Sequence, residues 1–288
     1  MRRGSVPPRE PFSGVSLSLR AASLDRLARL GRFLWSGWAG LAGLALLAAV
    51  WQAGHEAYGA FILPAPLDTL AAAGCLLTDG SARAVLALTV ARALQGFTLC
   101  ALVGVAAGIA AGYSPATLRV ARPILTVVLG VPPIAWIVLA MIWFGASDAT
   151  VAMVILISAT PIVFTGAVEG VVTRDRGLDA MARVFGAGPI RRFTHVAARQ
   201  IAAHVLPALV LALGTAFKVA VMAELLANAG GVGGALARAR AMLDVAEALA
   251  WISLAVAALI AVEYGLIRPV RAELERWRDA AAPWGVKR

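Results

Sequence analysis

The chain has 288 residues, 60% hydrophobic and 15% charged, with a mean hydropathy of +0.82 and a formal net charge of +10. No soluble domain of this length could hide so much apolar surface, so the composition excludes a soluble class and requires an integral membrane protein. The positive charge does not point to nucleic acid, because the Arg residues lie between long apolar runs and no basic patch carries interleaved aromatics.

Residues 1–32 form a basic arm. Its first 16 positions, rich in Pro, Ser and Gly, read as disordered, and Leu24, Leu27 and Leu30 with Arg26 and Arg29 read as an interfacial helix. A hydrocarbon core about 30 Å thick needs about 20 apolar residues, and such runs lie near 33–53, 93–112, 123–144, 149–172, 205–227 and 246–267. The expected fold is therefore all-α, a polytopic membrane helix bundle of about six transmembrane helices over 33–268, followed by a basic tail at 269–288. The first run follows too long a preamble, and is itself too long, for a cleaved leader with an apolar part of about 7–15 residues.

The second run contains Gly104, Gly108 and Gly112 at four-residue spacing, which lets a partner helix approach to backbone contact. The third contains Pro132-Pro133 and Trp136 near its centre. The two prolines remove donors and kink the helix, making either a pore lining and gate hinge or a static packing kink. Pro161 predicts a milder bend in the fourth.

The basic loop 174–199 comes next. Leu178, Met181, Ala182 and Phe185 recur at helical spacing, so one face of a short helix is apolar while Asp179 and Arg183 face away. Gly186 supplies a left-handed stop, and Pro189 suits the first turn of a second helix striped by Ile190, Phe193 and Ala197. Such a ridge either fits a groove on a soluble partner or lies in the membrane interface.

The fifth run holds Lys218 and Glu224. They are six residues apart on opposite-leaning faces, so they do not form a simple pair. Glu224, near the helix end, reads as an interfacial carboxylate. Lys218 either attracts an anion or serves a snorkelling or inter-helix role. Gly230-Gly231-Val232-Gly233-Gly234 reads as a flexible outer turn and not a dinucleotide fingerprint.

Most of the 26 Lys and Arg fall in the arm, the 113–122 loop, the 174–199 loop and the tail, whereas 54–82 has none. Positive loops stay in the cytoplasm, so both ends are expected there. Cys75 and Cys100 lie too far apart in depth for a disulfide. The three histidines lack metal-ligand spacing, and no phosphate-binding loop is present, since neither Lys218 nor Lys287 follows a glycine. If ATP drives the protein, another subunit hydrolyses it.

Over residues 60–278 the chain resembles the permease subunits of bacterial binding-protein-dependent ABC importers, in the branch serving nitrate, sulfonates, taurine, bicarbonate and some vitamin precursors. The resemblance is carried by Leu63-Pro64-Ala65-Pro66, Thr89-x-x-Arg92-x-Leu94-x-Gly96-Phe97, Gly104-x-x-x-Gly108, Pro132-Pro133-x-x-Trp136, Trp143-Phe144-Gly145, the Gly186 loop, and Ala223-Glu224-Leu225-Leu226 leading to Gly231-Val232-Gly233. It implies a non-enzymatic importer subunit. A second permease copy (a homodimer), cytoplasmic ABC ATPases and a periplasmic solute-binding protein would be its partners, with membrane lipid around it. ATP and Mg would be bound by the ATPase, with no cofactor in this chain. Leu178, Asp179, Ala180, Met181, Ala182, Phe185 and Gly186 would be the ATPase-coupling segment, and Pro132, Pro133, Trp136, Lys218 and Glu224 the candidates for the translocation path and gate. The family's coupling triplet, Glu-Ala-Ala, falls on Ala180-Met181-Ala182, where the glutamate is missing and Asp179 lies one position early. Its Leu-Pro falls on Ala198-Arg199, with Leu206-Pro207 displaced further along.

Two other classes compete. An ion-driven secondary transporter or channel would want central carboxylates or an inverted repeat. An intramembrane hydrolase would need a nucleophile and base, yet Ser147 lies in an outer turn and Ser158 has no histidine at its depth.

Overall fold

The computed structural model describes residues 40–267, so the predicted arm 1–32, the start of the run 33–53 and the tail 269–288 lie outside the described residues. Every regular element among them is helical. Residues 1–66 and 67–288 form two units.

In the first unit, helix α1 occupies 40–58 and stops at Gly59, whose φ of +82° is a glycine conformation. The chain then folds back. The Trp51 indole N–H donates to the Pro64 carbonyl at 2.9 Å, and His55 Nδ1 lies 2.7 Å from the Leu63 carbonyl. Leu41, Leu44 and Leu47 are exposed, as a lipid-facing helix requires.

The second unit begins at Leu67, one residue into α2 (Pro66–Thr78), and continues with α3 (Gly80–Tyr113). Asp79 caps α3 by accepting from the Ser81 hydroxyl at 2.6 Å and its amide at 2.9 Å. Those two bonds hold its carboxyl below the ordinary range. After α3 come α4 (Pro115–Gly130), α5 (Pro133–Phe144), α6 (Asp148–Val172), α7 (Arg176–Val184) and α8 (Pro189–Arg192). A π turn over Phe193–Ala197 leads into α9 (Ala198–Ala227), followed by α10 (Gly231–Ala241) and α11 (Val245–Val262). Among the described residues, four helices are long and apolar enough to cross a membrane: Gly80–Tyr113, Asp148–Val172, Pro189–Ala227 and Val245–Gly265.

The third predicted run is a fifth span only as a broken pair. Instead of a kinked helix, α4 and α5 meet at 92°. Consecutive prolines cannot donate at 132 or 133, and each biases its predecessor toward extended backbone. Val131 accordingly sits at φ −86°, ψ 124° and Pro132 at φ −58°, ψ 142°. The fourth run, by contrast, stays one helix through Pro161.

Helix α6 is the spine. On one side it runs parallel to α3, where a Cβ added at Gly104 would fall 2.7 Å from Val163 Cβ, at Gly108 2.6 Å from the Phe164 carbonyl oxygen, and at Gly112 2.6 Å from Val171 Cβ. The glycine ladder thus brings two helices to backbone contact, as its spacing predicts. On the other side, α6 uses its own Gly166 and Gly170 to admit α9 at Ala208 and Ile201. The main core, with Ala93, Cys100, Ile137, Ile155, Val163, Leu213 and Phe217, lies among α3, α5, α6 and α9. Both cysteines are free, Cys75 exposed and Cys100 buried.

Because Gly108 has no slack, Gly108→Val is expected to cost about 1–3 kcal/mol through overpacking, seen as a lower melting temperature in detergent. Gly74→Ala, where nothing lies within 4 Å of an added Cβ, is the control and should melt like the parent.

Candidate functional site

Two constellations stand at opposite ends of the α3–α6–α9 core. At the end formed by Val172 and Ala198 is a helical hairpin. Asp175 caps α7 by accepting from Gly177 N–H at 2.7 Å, and its own amide donates to Gln200 Oε1 on α9 at 2.6 Å. Arg174 lies 4.4 Å over the Tyr113 ring, tying the ends of α3 and α6. The far end of α7 closes as a Schellman-type stop. Gly186 N–H donates to Arg183 O at 3.0 Å and Ala187 N–H to Ala182 O at 2.9 Å, with Gly186 at φ +76°.

The hairpin's apolar ridge is bare. Val184, Phe185 and Ile190 are 86%, 82% and 78% exposed, and Leu178, Met181 and Phe193 are exposed beside them. Ala182 is half-buried, Ala180 is exposed, and Ala197 is buried. Asp179 does not face away. It turns toward α8, with its Oδ2 3.7 Å from both Arg183 and Arg192, because an acid between two basic helices finds a partner on the second. Val184 was absent from the predicted stripe because that stripe followed one helical face, whereas the ridge continues around the turn.

At the other end, formed by Asp148 and Ala227, Glu224 is wholly buried, not interfacial. Its Oε2 accepts from the Thr89 hydroxyl at 2.7 Å and from Gly233 N–H at 3.1 Å, and its Oε1 accepts from Arg92 Nη1 at 3.0 Å. Thr89 Oγ1 in turn accepts from Val232 N–H at 2.8 Å. Arg92 reaches on to Asp148, which accepts from its Nε at 2.9 Å and from Nη2. One carboxylate therefore ties α3, α9 and α10 together, and one guanidinium carries the tie to the start of α6. Burying a carboxylate is tolerable only with such compensation.

The glycine run is likewise no flexible turn. Asn228 ends α9 in the left-handed region at φ 49°, Gly230 and Gly231 follow at φ +74° and +67°, and Gly231 opens α10. Gly231, Val232, Gly233 and Gly234 are all buried. A Cβ at Gly231 would strike the Glu224 carboxylate, and one at Gly233 would come 2.5 Å from Glu224 Cβ, so the absent side chains are what let α10 dock on the acid.

Arg92 and Asp148 were not predicted as site residues. The second apolar run begins at 93 by hydropathy, whereas α3 begins at Gly80 and places Arg92 inside the helix. The available signal was Thr89 and Arg92 three apart, on one helical face, in a chain with a carboxylate needing partners. Pro132 and Pro133 sit exposed at the α4–α5 break, and Trp136 is half-buried in α5 with an unpartnered indole N–H. Lys218 is exposed on α9 and takes no part in the Glu224 cluster. No group of three or more His, Cys, Asp or Glu among the described residues could hold a metal ion.

Residues 102–266, from the C-terminal part of α3 through α11, match the binding-protein-dependent transport system inner membrane component family. The chain belongs to this family. A probable ABC transporter permease protein of Brucella melitensis is 31% identical to the permease over 193 residues, 66% of this chain and 77% of the relative. The putative aliphatic sulfonates transport permease protein SsuC of Bacillus subtilis is 28% identical over 81% of this chain and 84% of its own. The taurine transport system permease protein TauC of Escherichia coli is 28% identical over 67% and 70%. The permease is a multi-pass membrane subunit of an ABC importer, in the branch that includes these proteins, and is not an enzyme. Membership implies an ATPase and a solute-binding protein as partners.

Proposed function

We propose that the permease carries a small anionic solute, such as nitrate, a sulfonate or taurine, across the bacterial inner membrane, as one of two identical copies driven by a separate ATPase. In this reading the α7–α8 hairpin is the coupling segment. It lies in the cytoplasm with the arm 1–32 and the tail 269–288, and the Glu224 cluster lies toward the periplasmic side. ATP and Mg belong to the ATPase. Closure of the ATPase dimer would draw the two hairpins together and favour one of two membrane states, linking nucleotide binding to access. Pro132, Pro133 and Trp136 would line or hinge the path at the α4–α5 break.

The bare ridge of Val184, Phe185 and Ile190 carries this reading. An apolar helical face held out from the bundle by Asp175, Gln200 and Arg192 is suited to a groove on a soluble partner. An ion-driven carrier would instead want a carboxylate free to change its charge within the membrane. Glu224 accepts from Thr89, Arg92 and Gly233, so both its oxygens are committed to holding helices together.

The test is a pull-down from native membranes in gentle detergent. An ATPase with a phosphate-binding loop should accompany the parent and be lost, by about tenfold or more, from the Met181→Asp/Phe185→Asp variant. A preparation free of any ATPase would overturn the reading in favour of an ion-driven transporter.

A further inference from the structure

One face of α9 is left uncovered by the other described residues of its unit. Leu211, Lys218, Met222 and Leu226 are exposed along it, and a Cβ added at Gly214 would meet nothing within 4 Å. The residues flanking Lys218 in sequence, Phe217 and Val219, are buried, so the lysine belongs to this stripe and not to the core. Lys218 stands nine residues before the end of α9 at Ala227, about 14 Å along the axis, and twenty after its start at Ala198, about 30 Å. That is too deep for a four-carbon stem to return the ammonium to either end of the helix.

An ammonium that faces lipid within the hydrocarbon core is costly, about 2.5–3.5 kcal/mol at its centre on insertion scales, so Lys218 belongs against protein or a water-filled path. Among the described residues it has no acid to answer it. Glu224, the nearest carboxylate along α9, is turned into the core and held by Arg92, Thr89 and Gly233, and Asp148 is held by Arg92. Among the described residues no carboxylate pairs with Lys218.

We infer that Lys218 lines the translocation path and is the residue that admits anions, its counter-charge being supplied by the solute in passage. This rests on the importer reading above and deepens it. An ammonium is a compact point charge with three rotatable donors, without the planar fork that makes Arg select for shape. Lys218 therefore sorts solutes by charge and accepts trigonal and tetrahedral oxyanions alike. Finer discrimination falls to whatever delivers the solute. A positive group that no carboxylate among the described residues pins also binds weakly enough to release what it attracts, as conduction requires.

Two measurements on the full importer, expressed with its native partners, test this. The first is uptake of labelled nitrate and methanesulfonate by the parent, Lys218→Met and Lys218→Arg at matched membrane levels. Anion uptake should fall about tenfold or more in Lys218→Met and be largely kept in Lys218→Arg. Equal uptake by parent and Lys218→Met overturns the inference and leaves the importer reading standing, whereas a parent that takes up neither anion yet still recovers its ATPase overturns the anionic assignment itself. The second is labelling of Lys218→Cys, in a Cys75→Ser background, by a charged methanethiosulfonate applied to cells and to inverted vesicles. Labelling places the position on an aqueous path. A thiol unreactive from both sides overturns the inference, because any loss of uptake would then reflect packing.

Discussion

Replacing Glu224 with alanine is expected to destabilise the folded bundle by about 3–5 kcal/mol, the usual cost of removing one partner of a buried ion pair. Arg92, only 10% exposed at its side chain, would keep Asp148 alone as counter-charge, and Gly233 N–H would lose its acceptor inside the protein. Thr89 would lose its own acceptor while still accepting from Val232. Glu224→Gln should recover little. Both carboxylate oxygens receive hydrogen bonds, so either orientation of the amide sets an NH2 group against a donor, Arg92 on one side or Thr89 and Gly233 on the other. Buried Cys100 provides the readout, since its thiol meets a reactive fluorophore only on unfolding while exposed Cys75 gives a constant background. Both variants should expose Cys100 at clearly lower temperature than the parent. Melting curves that superimpose would show that the cluster does not hold α3, α9 and α10 together.

Gly186→Val should abolish most transport while leaving the protein inserted at normal levels. Nothing lies within 4 Å of a Cβ added at Gly186, so the substitution meets no clash. Its cost is torsional: φ is +76°, where an L residue pays about 1–2 kcal/mol and a β-branched one more. Relaxing that strain breaks the stop made by the Gly186 and Ala187 amides and swings Ile190 away from Val184 and Phe185, so the ridge no longer presents one surface. Uptake is expected to fall about tenfold or more with ATPase activity retained but uncoupled. Gly186→Asn, which tolerates the left-handed region, should keep most of the uptake. Normal transport by Gly186→Val would remove the hairpin from the coupling role.

Helices were legible wherever one local rule decided the outcome. The Gly104, Gly108, Gly112 ladder needs only four-residue spacing to predict a close helix contact, and α6 supplies it. Gly186 after an apolar stripe needs only the φ preference of glycine. Where two rules compete, a local pattern does not decide the structure. Pro132-Pro133 suggested a kink within one helix, but consecutive constraints on Val131 and Pro132 opened the angle to 92°. The glycines from 230 to 234 suggested a loose turn, because flexibility is what glycine offers when nothing packs on it, yet here α10 packs directly against Glu224.

By itself the sequence determined that the protein lives in lipid, that it is helical, which loop carries an apolar ridge, and to which branch of importer permeases it bears its motifs, since hydropathy, helical period and residue order are properties of the chain alone. Only the tertiary structure decided which charges meet. Thr89 and Arg92 lie 135 and 132 positions from Glu224, and the partners of a buried carboxylate are chosen by which helices pack together, which no local pattern records. The same packing turned Glu224 into the core and left Lys218, six residues away on the same helix, facing out. A helix rotates its residues by fixed steps, but what stands on each side of it is set by its neighbours.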